Sequence, residues 1–328
     1  MPSIRAVGLL SGGLDSALAV RLLLDQGIEV IGLHLRSPTA CRADVEEVAR
    51  DLGIRLVTRD KGEEYLKLLR HPRWGYGRNM NPCVDCRIFM FQLGRPYLEE
   101  FGASFLFSGE VVGQRPMSQT RERILLIDRQ SGLEGFILRP LSAQLLPETE
   151  PERRGWVDRS RLLAIYGRSR QTQLALAQEL GLKSYQSPGG GCLLTDALFS
   201  RKLKDAFEHT PEERTRVDDL ELLRLGRHFR FETDVKIVLG RNQEENRGLH
   251  RFENAERWLL EPDAFSGPTA LVCGARDERN LGRAAALIRR YTHASGALAV
   301  RWREGDLVRV RSLESASFED PIHLPAAL

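Results

Sequence analysis

The sequence predicts an α/β fold, in which a doubly wound parallel sheet is joined to a second, smaller α+β domain. In the first half of the chain, short apolar runs alternate with segments of helical periodicity, which indicates parallel strands with helices on both faces. The pattern changes after about residue 205, and a length of 328 residues fits two domains of ordinary size. We therefore expect one domain over residues 1–205 and another over residues 206–328.

The first domain is predicted to begin with a buried strand over residues 4–10. Helices are then predicted over residues 16–26, 43–52, 86–101 and 169–180, and strands over residues 28–35, 54–58 and 104–107. Residues 140–160 are rich in Pro and Glu and indicate a connector, and Pro188-Gly-Gly-Gly191 is predicted to interrupt regular structure. In such sheets ligands bind at the carboxyl ends of the strands, so the loops that follow them are the first candidates for a site.

The second domain is predicted to mix helices and strands. Helical periodicity covers residues 214–225 and 243–260. Apolar runs of strand length cover residues 235–239, 269–273, 298–302 and 307–310. This is an α+β pattern and not a continuation of the strand–helix alternation.

Composition excludes several classes of protein. Hydrophobic residues make up 42% and charged residues 28% of the chain, as in an ordinary globular protein. No apolar run approaches the roughly 20 residues of a membrane helix, and the start shows no secretory signal, so we expect a cytoplasmic protein. The net charge of +3 does not by itself require a nucleic-acid partner. Five cysteines form too sparse and odd a set for a disulfide scaffold.

The segment Ser11-Gly-Gly-Leu-Asp-Ser16 lies between the first predicted strand and the first predicted helix. Gly12 and Gly13 let the backbone approach an anion closely, and the helix start directs free N–H groups at that anion. The hydroxyls of Ser11 and Ser16 can donate further hydrogen bonds. Asp15 would repel a phosphate unless a cation such as Mg²⁺ lay between them. The segment therefore predicts a phosphate-binding loop, although a tight turn with a helix cap would use the same residues.

This loop resembles the PP-loop of the ATP pyrophosphatases, which attach AMP to a carbonyl oxygen and release pyrophosphate. Ser108-Gly-Glu-Val-Val-Gly-Gln114 with Ser118-Gln-Thr120, and then Arg139-Pro-Leu141, resemble stretches of the tRNA 4-thiouridine synthetases. Asn81-Pro-Cys-Val-Asp-Cys86 resembles an element of the tRNA 2-thiouridylases. The resemblance implies a Rossmann-like, HUP-type sheet, ATP bound on the loop, and Gly109 and Glu110 in the wall of the nucleotide and substrate site.

The stretches Lys236-Ile-Val-Leu-Gly-Arg-Asn242 and Glu244-Glu-Asn246 resemble the RNA-binding domain of NFACT proteins. Together the resemblances imply an ATP-dependent sulfurtransferase that replaces a nucleobase carbonyl oxygen in RNA, with tRNA as the expected class and a protein or sulfide as the sulfur donor. The alternative is a PP-loop ligase, amidotransferase or sulfur-incorporating enzyme for a small molecule or free base. The lack of a THUMP-type RNA-binding region ahead of the loop in this sequence favours that alternative. No oligomeric state is predicted.

Three cysteines are candidates for the sulfur chemistry. Cys83 and Cys86 form a CxxC just ahead of a predicted helix, and Cys192 lies far along the chain in a glycine-rich segment. Three thiolates could hold a [4Fe–4S] cluster with one iron open to exogenous sulfur, or the pair and Cys192 could form a persulfide and disulfide relay. Structural zinc would need a fourth ligand that the sequence does not offer nearby. Cys41 and Cys273 are predicted to be packing residues.

Apart from Asp85 just beyond it, the stretch over residues 65–84 contains no acidic side chain but carries several basic groups and aromatic rings that include Trp74 and Tyr76. Such a mixture suits single-stranded RNA, because the charges bind phosphates and the rings stack on bases. We expect this segment and the second domain to bind RNA together. Packing of Trp74 and Tyr76 against their own domain would explain the same residues.

Overall fold

The computed structural model describes residues 4–40, 44–186, 192–295, 298–304 and 307–312. The chain divides into two compact units, Met1–Thr195 and Asp196–Leu328. The boundary predicted after residue 205 falls inside the first helix of the second unit, Ala197–His209. Cys41 and the predicted breaker Pro188-Gly-Gly-Gly191 lie outside the described residues.

The first unit contains a five-stranded parallel sheet, as predicted. Its strands are β1 (Arg5–Leu9), β2 (Glu29–Arg36), β3 (Arg55–Asp60), β4 (Phe105–Ser108) and β5 (Ile137–Leu138). The order across the sheet is β3-β2-β1-β4-β5, so the chain moves outward from β1 and then returns to its other side. This reversal opens a crevice at the carboxyl ends of β1 and β4, where sheets of this kind bind ligands.

Helices cover both faces of this sheet. They are α1 (Leu14–Leu24), α2 (Val45–Asp51), α3 (Glu64–Arg70), α4 (Cys83–Gly94), α5 (Pro96–Glu100), α6 (Arg121–Gln130), α7 (Glu150–Arg153) and α8 (Gln171–Glu179). Ala6 of β1 packs on one face with Leu23 of α1, and Val7 packs on the opposite face with Phe91 of α4. Burial on both faces explains the apolar runs that predicted the strands.

The second unit contains a six-stranded antiparallel sheet with the order β11-β10-β8-β9-β7-β6. Its strands are β6 (Arg227–Arg230), β7 (Lys236–Leu239), β8 (Arg257–Asp263), β9 (Ala270–Cys273), β10 (Ala299–Glu304) and β11 (Leu307–Ser312). Its helices are α9 (Ala197–His209), α10 (Val217–Leu222), α11 (Gln243–Leu249) and α12 (Glu278–Tyr291). The α/β fold with a second α+β unit is therefore confirmed. Among the described residues, none of the helices has the length and apolar character to cross a bilayer.

One predicted helix is wrong. The helix expected over residues 243–260 ends at Leu249, and its last residues instead form the start of β8. Trp258 and Leu260 face one apolar cluster and Leu259 faces another, so this central strand is apolar on both sides. A run that is buried on both faces cannot be distinguished from a buried helix by its periodicity.

The helix predicted over residues 86–101 also differs from the structure. It begins three residues earlier, at Cys83, and a second short helix starts at Pro96. Proline is favoured in the first turn of a helix, where its missing N–H leaves no hydrogen bond unmade. The consequence for function is that Cys83 and Cys86 lie within the first turn of α4 and not ahead of it.

Candidate active site

The loop Ser11–Ser16 connects β1 to α1 at the crevice of the first unit. Gly12 adopts a left-handed backbone conformation with φ of +76°, which residues that carry a Cβ rarely adopt. Ser16 Oγ donates to the Gly13 carbonyl over 2.8 Å and lies 3.2 Å from Ser11 Oγ, so both hydroxyls shape the loop. Gly13 precedes α1 and provides no side-chain cap. The first N–H groups of α1 therefore remain available to an anion.

Asp15 lies in the first turn of α1 and faces the cleft. Its Oδ2 accepts a hydrogen bond from Gln114 Nε2 over 3.0 Å, and Arg170 Nη2 lies 3.9 Å from the same oxygen. Its Oδ1 is buried and has no hydrogen-bond partner among the described residues. A carboxylate oxygen in that condition fits a Mg²⁺ ion shared with phosphate oxygens, since Mg²⁺ is commonly held by one or two carboxylates and the substrate phosphates.

Gly109 and Glu110 follow β4 and form the other wall of the crevice. Glu110 is 2% exposed, and its Oε2 accepts hydrogen bonds from Ser108 Oγ and from Arg139 Nε, each over 3.1 Å. Arg139 in turn donates to both oxygens of Asp128, over 2.9 and 2.7 Å. Burial alone would raise the pKa of Glu110, but Arg87 and Arg139 hold it below its ordinary value. Glu110 is therefore an ionised, paired group, and the Arg-Pro-Leu stretch contributes a buried structural arginine.

The fold brings the three candidate cysteines to the same cleft as the loop. Cys83 and Cys86 lie on α4, and Cys192 joins them although it is more than a hundred residues away in sequence. Residues 187–191 are not described, but backbone hydrogen bonds fix the segments on either side of them. Gln186 N donates to Gly12 O over 2.8 Å, and Leu193 N donates to Thr39 O over 2.9 Å. The cleft has a volume of about 300 Å³.

Each thiol has a different environment. Cys83 Sγ donates to Asn81 Oδ1 over 3.1 Å, and Cys192 Sγ lies 3.6 Å from Thr39 O. Lys61 Nζ donates to Cys86 Sγ over 3.3 Å. Burial raises the pKa of the Cys83 thiol, and it raises the pKa of Cys192 to about 11.

The chemistry of the donor set, with three thiols in one cleft, fits a thiolate-bound metal centre. Within the described ranges, His, Cys, Asp and Glu side chains form no group of three or more at metal-binding spacing. Cys273 ends β9 and packs beside an apolar cluster of the second unit.

Several residues that line the cleft were not among the candidates predicted from the sequence. Lys61 and Arg170 line it, as do Arg87 and Arg115. Lys61 follows β3 directly, so the rule that ligands bind beyond the carboxyl ends of strands could have found it. Arg170 precedes α8, and only the packing of α8 against α1 brings it to Asp15.

The segment over residues 65–84 is anchored to the helix that carries the cysteines. The Asp85 carboxylate accepts hydrogen bonds from the backbone N–H groups of Arg73 and Trp74, over 2.8 and 3.2 Å. Trp74 packs against an apolar cluster of the sheet, and the Arg73 guanidinium lies 4.7 Å from the centre of its ring. Packing therefore accounts for Trp74, whereas Tyr76 is 38% exposed.

In the second unit, the stretch over residues 236–246 mainly builds the fold. Lys236 is buried and donates to Asp205 Oδ2 over 2.9 Å. Asn242 caps α11, and Asn246 Oδ1 accepts from Thr269 N over 3.1 Å. A Cβ on Gly240 would lie 2.0 Å from Asn246 Oδ1, which explains the glycine. These residues are structural, so RNA contacts would have to come from other side chains of this unit.

Comparison with known proteins agrees with the two-unit organisation. Residues 2–144 match the family model described as thiamine biosynthesis protein (ThiI). Residues 226–315 match the model described as NFACT protein RNA binding domain. Both resemblances inferred from the sequence are thereby confirmed.

Two curated relatives with 30% identity or more each cover less than half of this chain. A protein named "Probable tRNA sulfurtransferase" from Thermococcus kodakarensis is 30% identical over 146 residues, which is 42% of this chain and 36% of that protein. The tRNA-specific 2-thiouridylase MnmA of Syntrophotalea carbinolica is 37% identical over 115 residues, covering 30% of this chain and 32% of that protein. The chain thus spans about a third of the length of these relatives.

Among solved structures, a 4-thiouridine synthetase in complex with RNA and with bound ATP is 23% identical to this chain, with a TM-score of 0.39. The similarity covers 67% of this chain and 52% of that one. The two family models therefore match different units: one matches residues 2–144 within the first unit, and the other matches residues 226–315 within the second.

Proposed function

We propose that the chain is an ATP-dependent sulfurtransferase that acts on a nucleobase carbonyl in RNA, with tRNA as the expected class. The observation that carries the proposal is that the loop Ser11–Ser16 and the thiols of Cys83, Cys86 and Cys192 line one cleft. A phosphate on the loop and a sulfur at the thiols would therefore face the same carbonyl group of a substrate. The relatives named for tRNA thiolation and the match to an RNA-binding domain support RNA as the substrate.

The reaction would have two steps. In the first, the carbonyl oxygen of the base attacks the α-phosphorus of ATP, the bond to the leaving group breaks, and pyrophosphate departs. In the second, a sulfur nucleophile attacks the carbon that carries AMP, the carbon–oxygen bond breaks, and AMP departs. N–H groups at the start of α1 would stabilise charge on the phosphates. Asp15 would hold a Mg²⁺ ion, whose charge would offset the repulsion between this carboxylate and the phosphates.

We further propose that the sulfur is carried by the cysteines. A [4Fe–4S] cluster on Cys83, Cys86 and Cys192 would supply an open iron for exogenous sulfur. A persulfide and disulfide relay between the CxxC pair and Cys192 is the alternative. It would require two thiols to approach each other and a persulfide-carrying protein as the donor, because sulfide forms a persulfide only with an oxidant. The sulfur donor, a protein or sulfide, and a cytoplasmic setting remain predictions.

The test is a reaction of the anaerobically purified chain with tRNA transcripts, MgATP and sulfide. AMP and pyrophosphate should form, and nucleoside mass spectrometry should show exchange of one oxygen for sulfur. ADP and phosphate as the sole nucleotide products would contradict the proposal. AMP formation that depends on a small molecule or free base, and not on RNA, would instead support the alternative enzyme class.

A further inference from the structure

Two arginines lie beside Cys83 in the cleft of the first unit. Arg87 lies on α4, one helical turn after Cys83 and on the same face. Arg115 directly follows Gln114, in the stretch between the two motif segments that the sequence analysis left unassigned. Burial raises the pKa of the Cys83 thiol, and Arg87 and Arg115 offset part of that rise. Both arginines line the same cleft as Cys83.

Arg87 is paired with a carboxylate that belongs to a buried network of ion pairs. Arg87 Nε lies 3.3 Å from Glu110 Oε1, and the other oxygen of Glu110 is bound by Arg139. The side chains of Glu110 and Arg139 are 2% and 1% exposed, so this network is fixed in the protein interior. The two terminal nitrogens of Arg87 have no hydrogen-bond partner within the part of the chain that the structure describes. They remain available to a ligand.

Around Cys83, the arginines outnumber the carboxylates that pair with them. Glu110 and Asp128 match Arg87 and Arg139, which leaves Arg115 without an anion. The Arg115 guanidinium has no ion pair among the described residues. Desolvation, and then repulsion by Arg87, lower the pKa of Arg115. Two guanidinium groups that repel each other would be stabilised by an anion bound between them.

We propose that Arg87 and Arg115 form a second phosphate site beside Cys83, separate from the loop Ser11–Ser16, and that it takes a backbone phosphate of the RNA. This inference rests on the proposed function and adds a substrate-positioning site to it. Arginine suits the task, because its planar fork binds two phosphate oxygens at once.

The position of the pair favours RNA over ATP. In the proposed function, the phosphates of ATP would bind at the loop and the start of α1, where Arg170 Nη2 lies 3.9 Å from Asp15 Oδ2. The base that receives AMP must lie between that site and the cysteines. Its nucleotide is joined to phosphodiester groups on both sides, so a cationic pair at Cys83 would meet a phosphate of the same strand.

The experiment compares three full-length variants with the unmodified chain. Arg115→Ala removes the unpaired charge, Arg115→Lys keeps the charge without the fork, and Arg121→Ala is the matched control. Arg121 is an exposed arginine of the same unit and does not line the cleft. Affinity for a tRNA transcript is measured by fluorescence anisotropy over a series of salt concentrations, and ATP affinity is measured separately.

Arg115→Ala should weaken RNA binding about 10- to 100-fold, as expected for a charged hydrogen-bonded contact, and should lower the salt slope by about 0.9. Arg115→Lys should recover only part of the affinity. Arg121→Ala should change RNA affinity less than about twofold, and none of the variants should change ATP affinity by more than that.

Two results would overturn the inference while leaving the proposed function intact. One is an equal effect of Arg115→Ala and Arg121→Ala on RNA affinity. The other is a loss of ATP affinity in Arg115→Ala with RNA affinity unchanged, because the pair would then belong to the nucleotide site. Failure of the unmodified chain to bind any RNA at low salt would overturn the proposed function itself, and this inference with it.

Discussion

Gly109 lies directly against the backbone of Asp15: a Cβ added to Gly109 would stand 2.3 Å from the Asp15 carbonyl oxygen and 2.6 Å from the next backbone nitrogen. The end of β4 and the start of α1 are therefore in contact at the crevice. This glycine is required by close packing and not by its backbone conformation. The contact joins the loop that would hold ATP to the wall that carries Glu110.

Gly109→Ala should destabilise the first unit and distort the loop. The clash is with backbone, which cannot rotate away, so we expect a loss of about 1–3 kcal/mol, typical of overpacking. Thermal unfolding and ATP affinity should both show it. Gly13→Ala is the control, because its Cβ would make only an ordinary contact of 3.5 Å with Ser11 Oγ and should leave the melting temperature near its original value. Equal melting temperatures for the two variants would contradict the packing argument.

Asp15→Ala should abolish formation of AMP and pyrophosphate while the protein stays folded. The unpartnered Oδ1 is the expected Mg²⁺ contact, and losing electrostatic support at a transferring phosphate costs at least about 100-fold in rate. Asp25→Ala is the matched control at the other end of the same helix, where Asp25 forms a surface ion pair with Arg21 over 2.9 Å. Retained turnover in Asp15→Ala, measured by pyrophosphate release, would exclude this role.

Serine substitution of Cys83, Cys86 or Cys192 should each remove an oxygen-sensitive chromophore from anaerobically prepared protein. The expected content of the unmodified chain is roughly four irons, the stoichiometry of a cubane cluster. Cys273→Ser should retain the chromophore, since Cys273 is not one of the residues that line the cleft. A colourless preparation with one zinc per chain would contradict the cluster. A trapped persulfide without iron would identify the relay.

The stability of the second unit should rise with pH through Lys202. Burial, followed by Arg241 and Lys236, lowers the pKa of Lys202 to about 8, while its Nζ donates to two backbone carbonyls over 3.0 Å. Between pH 8 and about 10.4 the unfolded chain binds this proton and the folded chain does not. The free energy of unfolding should therefore gain up to about 3 kcal/mol over that range.

Urea titrations of the full chain at several pH values test this dependence. Lys202→Met should lose the rise relative to the unmodified chain. Lys204→Met is the control, because Lys204 lies on the same helix with its side chain 69% exposed. A parallel pH profile for the unmodified chain and Lys202→Met would show that the burial of Lys202 does not affect proton binding.

Much of the architecture was predictable, and the exceptions have a common cause. The strands around the loop Ser11–Ser16 were found because local apolar runs and glycines define them. The strand at Arg257–Asp263 was missed because both of its faces are buried, which removes the alternation that identifies a strand. The start of α4 was also misplaced, and with it the environment of Cys83 and Cys86, because no side chain caps this helix.

The sequence by itself determined the position of the loop Ser11–Ser16 between a strand and a helix, and the set of candidate thiols, because strand, glycine pair and helix start are contiguous and their chemistry is local. Only the tertiary structure decided that Cys192 lines the same cleft as Cys83 and Cys86. It also decided that Glu110 forms ion pairs with Arg139 and Arg87. Those relationships join residues far apart in the chain. They depend on the order of the strands in the sheet and on the packing of later segments of the chain at the cleft. No local sequence pattern encodes either of these.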